Sequence, residues 1–296
     1  LNLKPTSVVL ASKTQWVFIL FCFLGQLKEV NGQNTILWSV SDSTGKQPSY
    51  LLGTFHQVGN HFVDSIPIIK EKMLGSNIVF FESIGNTDSL REQLNRRKHQ
   101  FTYQKYLRRK DVDCIEKWSE NWQVPVSKLT PIELYIKLNQ LYVLNICGTA
   151  LTTDQFQHFD KYLLYLARQG NLDVRGLETD SAQTFDINAL DSNYTWKRSR
   201  KEIHKLIQNI KSKNTESRTC LDAHSYMHFD LEYHFEQVCL DRNLIERNAF
   251  WMRSILPALE KNQVFIAIGL AHLYGQCGLI EQLRRNGYLV EEVHLR

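Results

Sequence analysis

Apolar residues form short unbroken runs near both ends of the chain and recur at helical spacing through its middle. Runs bounded by glycine or polar residues predict strands at 35–40, 49–53, 77–81, 173–177, 263–268 and 288–293. Between them, 64–74 reads as a short helix entered through Ile66-Pro67. Thr130 is placed to cap a helix with Pro131 in its first turn and Leu134, Leu138 and Leu141 following. Helical patterning continues over 154–169 and 194–211, and 278–287 predicts a helix stopped by Gly287. Long helical stretches at 87–169 and 181–259 separate the strands. This order predicts an α/β (α+β) fold, with a mixed central sheet built from the N- and C-terminal segments and large helical insertions over one edge. No Pro-, Gly- or Ser-rich linker and no tandem repeat divides it.

The first residues stand apart. Lys4 and Lys13 precede the apolar run Trp16–Leu24, which suits the core of an export signal and is short for a bilayer span. Val30-Asn31-Gly32 supplies short residues where a signal peptidase cuts, so 1–32 is expected to be a signal peptide or N-terminal anchor and 33–296 the folded domain. The expected location is therefore exported: periplasmic, secreted or membrane-associated through that segment.

Composition removes some partners. Apolar residues make up 43% and charged residues 22% of the chain, as in an ordinary folded domain. Of the net charge of +4, +2 lies in the first 32 residues, leaving too little on the remainder to argue for nucleic acid. Arg96-Arg97-Lys98 and Arg108-Arg109-Lys110 read as solvated helix faces. Beyond Cys22 there are Cys114, Cys147, Cys220, Cys239 and Cys277, an odd number with no CxxC spacing. Cys220 with Cys239 is the expected pair, since they bracket one segment.

Two strands end in the same signature, Gly-x-x-His: Gly53-Thr54-Phe55-His56 and Gly269-Leu270-Ala271-His272. A strand delivers the chain to a sheet edge, glycine permits a turn or a close approach, and histidine follows where ligands bind in α/β folds. Glu82 ends the apolar run 77–81, where a buried carboxylate is costly unless it is paired or hydrogen-bonded. His56, His272 and Glu82 together have the composition of a two-histidine, one-carboxylate metal site, suited to Zn, Mn, Fe or Co. The bland reading, in which strand-end side chains only satisfy nearby backbone, competes evenly on spacing alone. Glu178 repeats the strand-then-carboxylate pattern, lining the same cleft or capping a helix that starts near Asp180. Arg247 is placed to clamp a carboxylate or developing oxyanion, or else to form an ordinary surface salt bridge. Cys220, His224 and His228 share helical spacing, followed by His234 and Cys239. One helical face can bind metal this way, but coincidence among 10 histidines is the better account. The chain has no Gly-x-Ser-x-Gly elbow, HExxH, Walker A loop or GxGxxG fingerprint.

Taken together, Tyr50–His56, Glu82, Leu129-Thr130-Pro131, Gly176-Leu177-Glu178-Thr179, Glu246-Arg247-Asn248, Ile268–Leu279 and Leu283–Tyr288 resemble the TraB/PrgY/GumN family, in the family's order. The family includes the Tiki metal-dependent peptidases, which favour Mn or Co, and shares a fold with erythromycin esterases and haem-binding ChaN-like proteins. The resemblance implies a hydrolase in which His56 and His272 bind a divalent metal (Mn, Co or Zn), with Glu82 binding it or activating water. Glu178, Arg247 and Asn248 would complete the catalytic set, acting on a peptide or protein. Phe55 stands where the family often has a smaller aliphatic residue, and is expected to narrow the cleft. The alternative is a non-catalytic peptide- or haem-binding regulatory protein of the same fold. In a third reading, the helical insertions bind a partner and the site residues are relics.

Overall fold

The computed structural model describes residues 35–44, 47–85, 87–178 and 194–295, all within the compact unit Gly32–Arg296. The expected export segment and the supposed helix start near Asp180 lie outside the described residues. Among the described residues six strands form one mixed sheet: β1 (Leu37–Ser41), β2 (Ser49–Thr54), β3 (Ile78–Phe81), β4 (Asp173–Gly176), β5 (Val264–Gly269) and β6 (Leu289–Glu292). Their order is β4-β3-β5-β2-β1-β6. β4, β3, β5 and β2 run parallel, whereas β1 pairs antiparallel with β2 and β6. The fold is thus the mixed α/β arrangement the pattern predicts.

Position in the sheet explains the patterns. β2 and β3 are buried at every residue, and β5 at all but its last. A parallel strand covered on both faces has no solvent side, so its sequence is an apolar run and does not alternate. The edge strands β4 and β6 are mostly exposed and carry Asp173, Arg175, Glu291 and Glu292. Charge there discourages further strand pairing.

Two apolar cores result. One covers the sheet; the other lies among the helical insertions, where Leu134, Leu138 and Tyr142 pack with Ile203 and Ile207. Helix Pro131–Asn145 begins as expected: Thr130 Oγ1 accepts from the Glu133 N–H, and Glu133 Oε2 accepts from the Thr130 N–H. Phe55 packs against both cores, with its ring 5.5 Å from that of Tyr226. Its observed contacts are therefore those of a wedge between the two cores.

Two predicted helices differ. The helix expected over 64–74 runs from Pro67 to Leu74, and Asp64 instead ends a separate short helix, Asn60–Asp64. Ile66, at φ −124° and ψ 74°, is held out of the helical region by the proline that follows it. The helix expected from 154 starts at Phe159. Asp154 instead accepts from the backbone N–H groups of His61 at 2.9 Å and Leu151 at 2.7 Å, which holds a turn there.

The expected Cys220–Cys239 disulfide is corrected: Cys147 joins Cys220, Cys239 joins Cys277, and Cys114 is free. Helix Arg218–His228 packs beside the end of helix Pro131–Asn145, placing Cys220 against Cys147. Among the described residues no helix is long and apolar enough to cross a membrane.

Candidate functional site

The four parallel strands point their carboxyl ends the same way, so the residues that follow them share one sheet edge. Thr54 of β2 is opposite Gly269 of β5, and Phe81 of β3 is opposite both Ala267 of β5 and Gly176 of β4. The β3–β4 ladder runs on past the strands: the Glu178 N–H donates to the Glu82 carbonyl at 2.9 Å. Glu82 and Glu178 are therefore lateral neighbours.

Two carboxylates side by side with little solvent need a cation. Arg247, on helix Arg242–Leu259, supplies it. Its Nε and Nη2 donate to the two oxygens of Glu178 at 3.0 and 2.7 Å, and Nη2 also reaches Glu82 Oε2 at 3.0 Å. Burial works against the guanidinium charge, but the two carboxylates more than compensate. The side chains are 23%, 11% and 5% exposed for Arg247, Glu82 and Glu178, so this is an enclosed bidentate pair and not a surface salt bridge. The remaining Glu82 oxygen, Oε1, accepts the Gly269 N–H at 2.6 Å. A β-carbon at residue 269 would stand 2.8 Å from that oxygen, so glycine is what admits the carboxylate.

The two Gly-x-x-His glycines therefore differ in role. A β-carbon on Gly53 would meet the Leu270 and Leu273 side chains at 2.7 and 2.8 Å. Gly53 makes room for the turn that follows β5, and Gly269 makes room for the site carboxylate.

His272 lies on the short 3-10 turn Leu270–Leu273 and is 5% exposed. Its Nδ1 stands 2.6 Å from Asn248 Oδ1. Asn248 Nδ2 donates to the carbonyls of His272 at 3.1 Å and Cys277 at 2.9 Å, so Oδ1 must accept and Nδ1 must carry the proton. The Nε2 lone pair is left over, 3.9 Å from Glu82 Oε1. The Trp251 ring lies 4.3 Å from the imidazole, and burial pushes its pKa down to about 4, with Glu82 acting in opposition.

His56 lies beyond the end of β2 with its side chain 53% exposed. Its Nδ1 is hydrogen-bonded to Asp160 Oδ2, and Thr54 Oγ1 donates to Asp160 Oδ1 at 2.5 Å. Asp160 beside it pulls the imidazole pKa up to about 9. Burial would raise the Asp160 pKa, but His56 and Thr54 hold it below its ordinary value. The charges of Glu82 and Arg247 act on both histidines, and that of His56 acts on His272.

The structure thus gathers His56, Glu82, Glu178, Arg247, Asn248 and His272 at one edge. Sequence reasoning missed Asp160, whose only local feature is an acid in the first turn of helix Phe159–Gln169, a common place for one. The histidine-rich helix is not gathered here. His224 Nε2 bonds to the Cys147 carbonyl at 2.9 Å, His228 Nδ1 to the His224 carbonyl at 2.8 Å, and Cys220 is in a disulfide. Among the described residues no group of three or more His, Cys, Asp or Glu side chains stands in a metal-holding arrangement.

These features define an α/β domain with a histidine–carboxylate–arginine site at the carboxyl edge of its parallel strands. The chain belongs to the TraB/PrgY/gumN family, whose sequence profile matches residues 36–292. No curated protein and no solved structure matches the chain.

Proposed function

We propose that the protein is an exported, metal-dependent hydrolase, with peptide bonds as its substrate class. One observation carries the reading. Both histidines have Nδ1 tied to a carboxylate or amide oxygen, the arrangement that orients metal-binding imidazoles and raises their basicity. Metal–ligand bonds of roughly 2.0–2.2 Å allow two donors of one ion to lie up to about 4.3 Å apart. The 3.9 Å between His272 Nε2 and Glu82 Oε1 falls within that reach, which supports these two side chains as donors to one ion.

His56 Nε2 and His272 Nε2 would hold a divalent ion (Mn, Co or Zn), with Glu82 either as its carboxylate ligand or as the base that activates water. When bound, such an ion supplies Lewis acidity that polarises a carbonyl and lowers the pKa of water. Asp160 accepts from the His56 Nδ1–H, and Nε2 would have to give up the second proton that the raised pKa retains before it could bind an ion. Asn248 keeps the His272 proton on Nδ1. Gly269 fixes Glu82 through its N–H, which orients the carboxylate for either role. Arg247 holds Glu82 and Glu178 in register and adds positive charge where an oxyanion would develop. Two disulfides support an oxidising compartment, in line with the export expected from Trp16–Leu24.

The test is metal analysis of the purified chain, followed by cleavage of a peptide library after chelation and re-addition of Mn or Co. Cleavage should return with metal and be lost in His56→Ala, Glu82→Gln and His272→Ala, with a smaller loss in Asp160→Ala. Absence of both bound metal and cleavage would sink the reading. The half-exposed His56, with Nε2 unpartnered among the described residues, supports a second reading as a haem-binding protein. A Soret band on haem addition, lost in His56→Ala, would favour that reading.

A further inference from the structure

Helix Trp196–Ser212 carries Lys197, Arg198, Arg200, Lys201, Lys205 and Lys211 against the single acid Glu202. Its buried face is Ser199, Ile203, Leu206, Ile207 and Ile210, packed into the second core. On the opposite face, Lys197, Lys201 and Lys205 are exposed and recur every fourth residue, about 6 Å apart along the axis. Like charges at that spacing repel and weaken a helix. Lys197 and Arg198 also occupy the first turn, which holds no acid and where the helix dipole disfavours cations. Both effects oppose folding, and none of Lys197, Arg198, Arg200, Lys201 and Lys205 is ion-paired among the described residues.

The neighbouring chain widens the row into a patch. Arg108 Nη1 lies 2.8 Å from His204 Nε2, whose Nδ1 bonds to the buried Asp111, so an exposed guanidinium is fixed beside the lysines. An open depression of about 710 Å³ is lined by Thr195, Lys197, Arg198, Arg200 and Lys201, four cations and a hydroxyl. The patch has no apolar centre, whereas protein interfaces are apolar and poor in lysine at theirs. A broad cationic face without apolar anchors fits a two-dimensional array of anionic headgroups, which attracts clustered Lys and Arg by charge alone.

We infer that the face of helix Trp196–Ser212 centred on Lys197, Lys201 and Lys205 seats the protein on an anionic lipid bilayer. The test is co-sedimentation of the full chain with vesicles of phosphatidylcholine alone or mixed with phosphatidylglycerol, at low and high salt. Wild-type protein should bind the phosphatidylglycerol vesicles more tightly, and salt should remove the difference. Lys197→Glu/Lys201→Glu/Lys205→Glu should lower that binding by roughly two orders of magnitude or more, from the contribution of each basic residue. The corresponding triple Lys→Arg variant should retain it. Thermal unfolding of the Glu variant reports whether it folds, and a Lys→Gln triple variant replaces it where it does not. Equal binding to neutral and anionic vesicles, or wild-type binding by the triple Glu or Gln variant, would overturn the inference. So would retention of the wild type on a heparin column without vesicle binding, which would assign the patch to a soluble polyanion.

Discussion

Asn248 holds His272 in a single tautomer. Its amide hydrogens go to the His272 and Cys277 carbonyls, leaving only its oxygen to face Nδ1, at 2.6 Å. Asn248 is fully buried, so its bonds are made away from bulk solvent. Asn248→Ala is expected to destabilise the fold by about 2–3 kcal/mol, since it leaves buried polar groups unsatisfied. It should also weaken Mn or Co binding about 10–100-fold, as loss of a partner behind a metal-binding histidine does. Urea denaturation and calorimetric metal titration check the two effects separately, and unchanged affinity in a folded variant would count against the orienting role.

Gly269 and Gly278 separate site geometry from stability. A β-carbon at Gly269 would stand 2.8 Å from Glu82 Oε1, the movable end of a side chain. At Gly278 it would stand 2.2 Å from the Leu273 carbonyl oxygen, which is backbone. Gly269→Ala is therefore expected to stay folded, at a cost of about 1–3 kcal/mol for the disturbed Glu82 hydrogen bonds, while losing most activity because Glu82 is displaced. Gly278→Ala should be strongly destabilised. Melting temperatures and peptide cleavage measured on the two variants would show the split.

The two disulfides should differ in what their loss does. They close separations of 73 and 38 residues, and chain entropy gives each a contribution of about 4 kcal/mol. Cys147–Cys220 ties together the helical insertions. Cys239–Cys277 secures the turn whose Cys277 carbonyl receives the Asn248 amide. Replacing Cys147 and Cys220 by Ser should lower the melting temperature with little effect on activity per folded molecule. Replacing Cys239 and Cys277 should lower both. Equal activity in both variants would show that the turn holds without its disulfide.

Asp64 predicts part of the acid limb of stability. Its partial burial would raise the carboxyl pKa, but Tyr162 at 2.6 Å, Asn60 at 3.0 Å and Lys70 at 2.9 Å donate to it and hold it below the ordinary 3.8. A carboxyl depressed by folding stabilises the fold fully above its unfolded pKa, and that stabilisation is lost as pH falls through the folded value. Tyr162→Phe removes one donor and brings the two values closer, so stability should depend less steeply on pH below about 4. Urea denaturation from pH 5 downward, on both proteins, measures the slopes.

Local physics explains what could be read directly from the chain. β2, β3 and β5 stand out as apolar runs because they are buried on both faces, and hydration alone dictates such a run. The Thr130 capping box is equally local, since its partners lie three residues apart. His56, Glu82, Glu178 and His272 are legible as residues that follow strands. Sequence alone therefore determined the six strands, the mixed α/β class and which side chains reach a sheet edge.

Tertiary structure decided how those side chains are partnered. Asp160 meets His56 across a separation of 104 residues, and Arg247 meets Glu82 across 165. The strand order that puts β5 between β2 and β3 brings Gly269 against Glu82, and helix packing pairs Cys220 with Cys147 in place of Cys239. Periodicity records which residues avoid water. It carries no record of which buried donor meets which acceptor, because that depends on how distant segments stack once the sheet has closed.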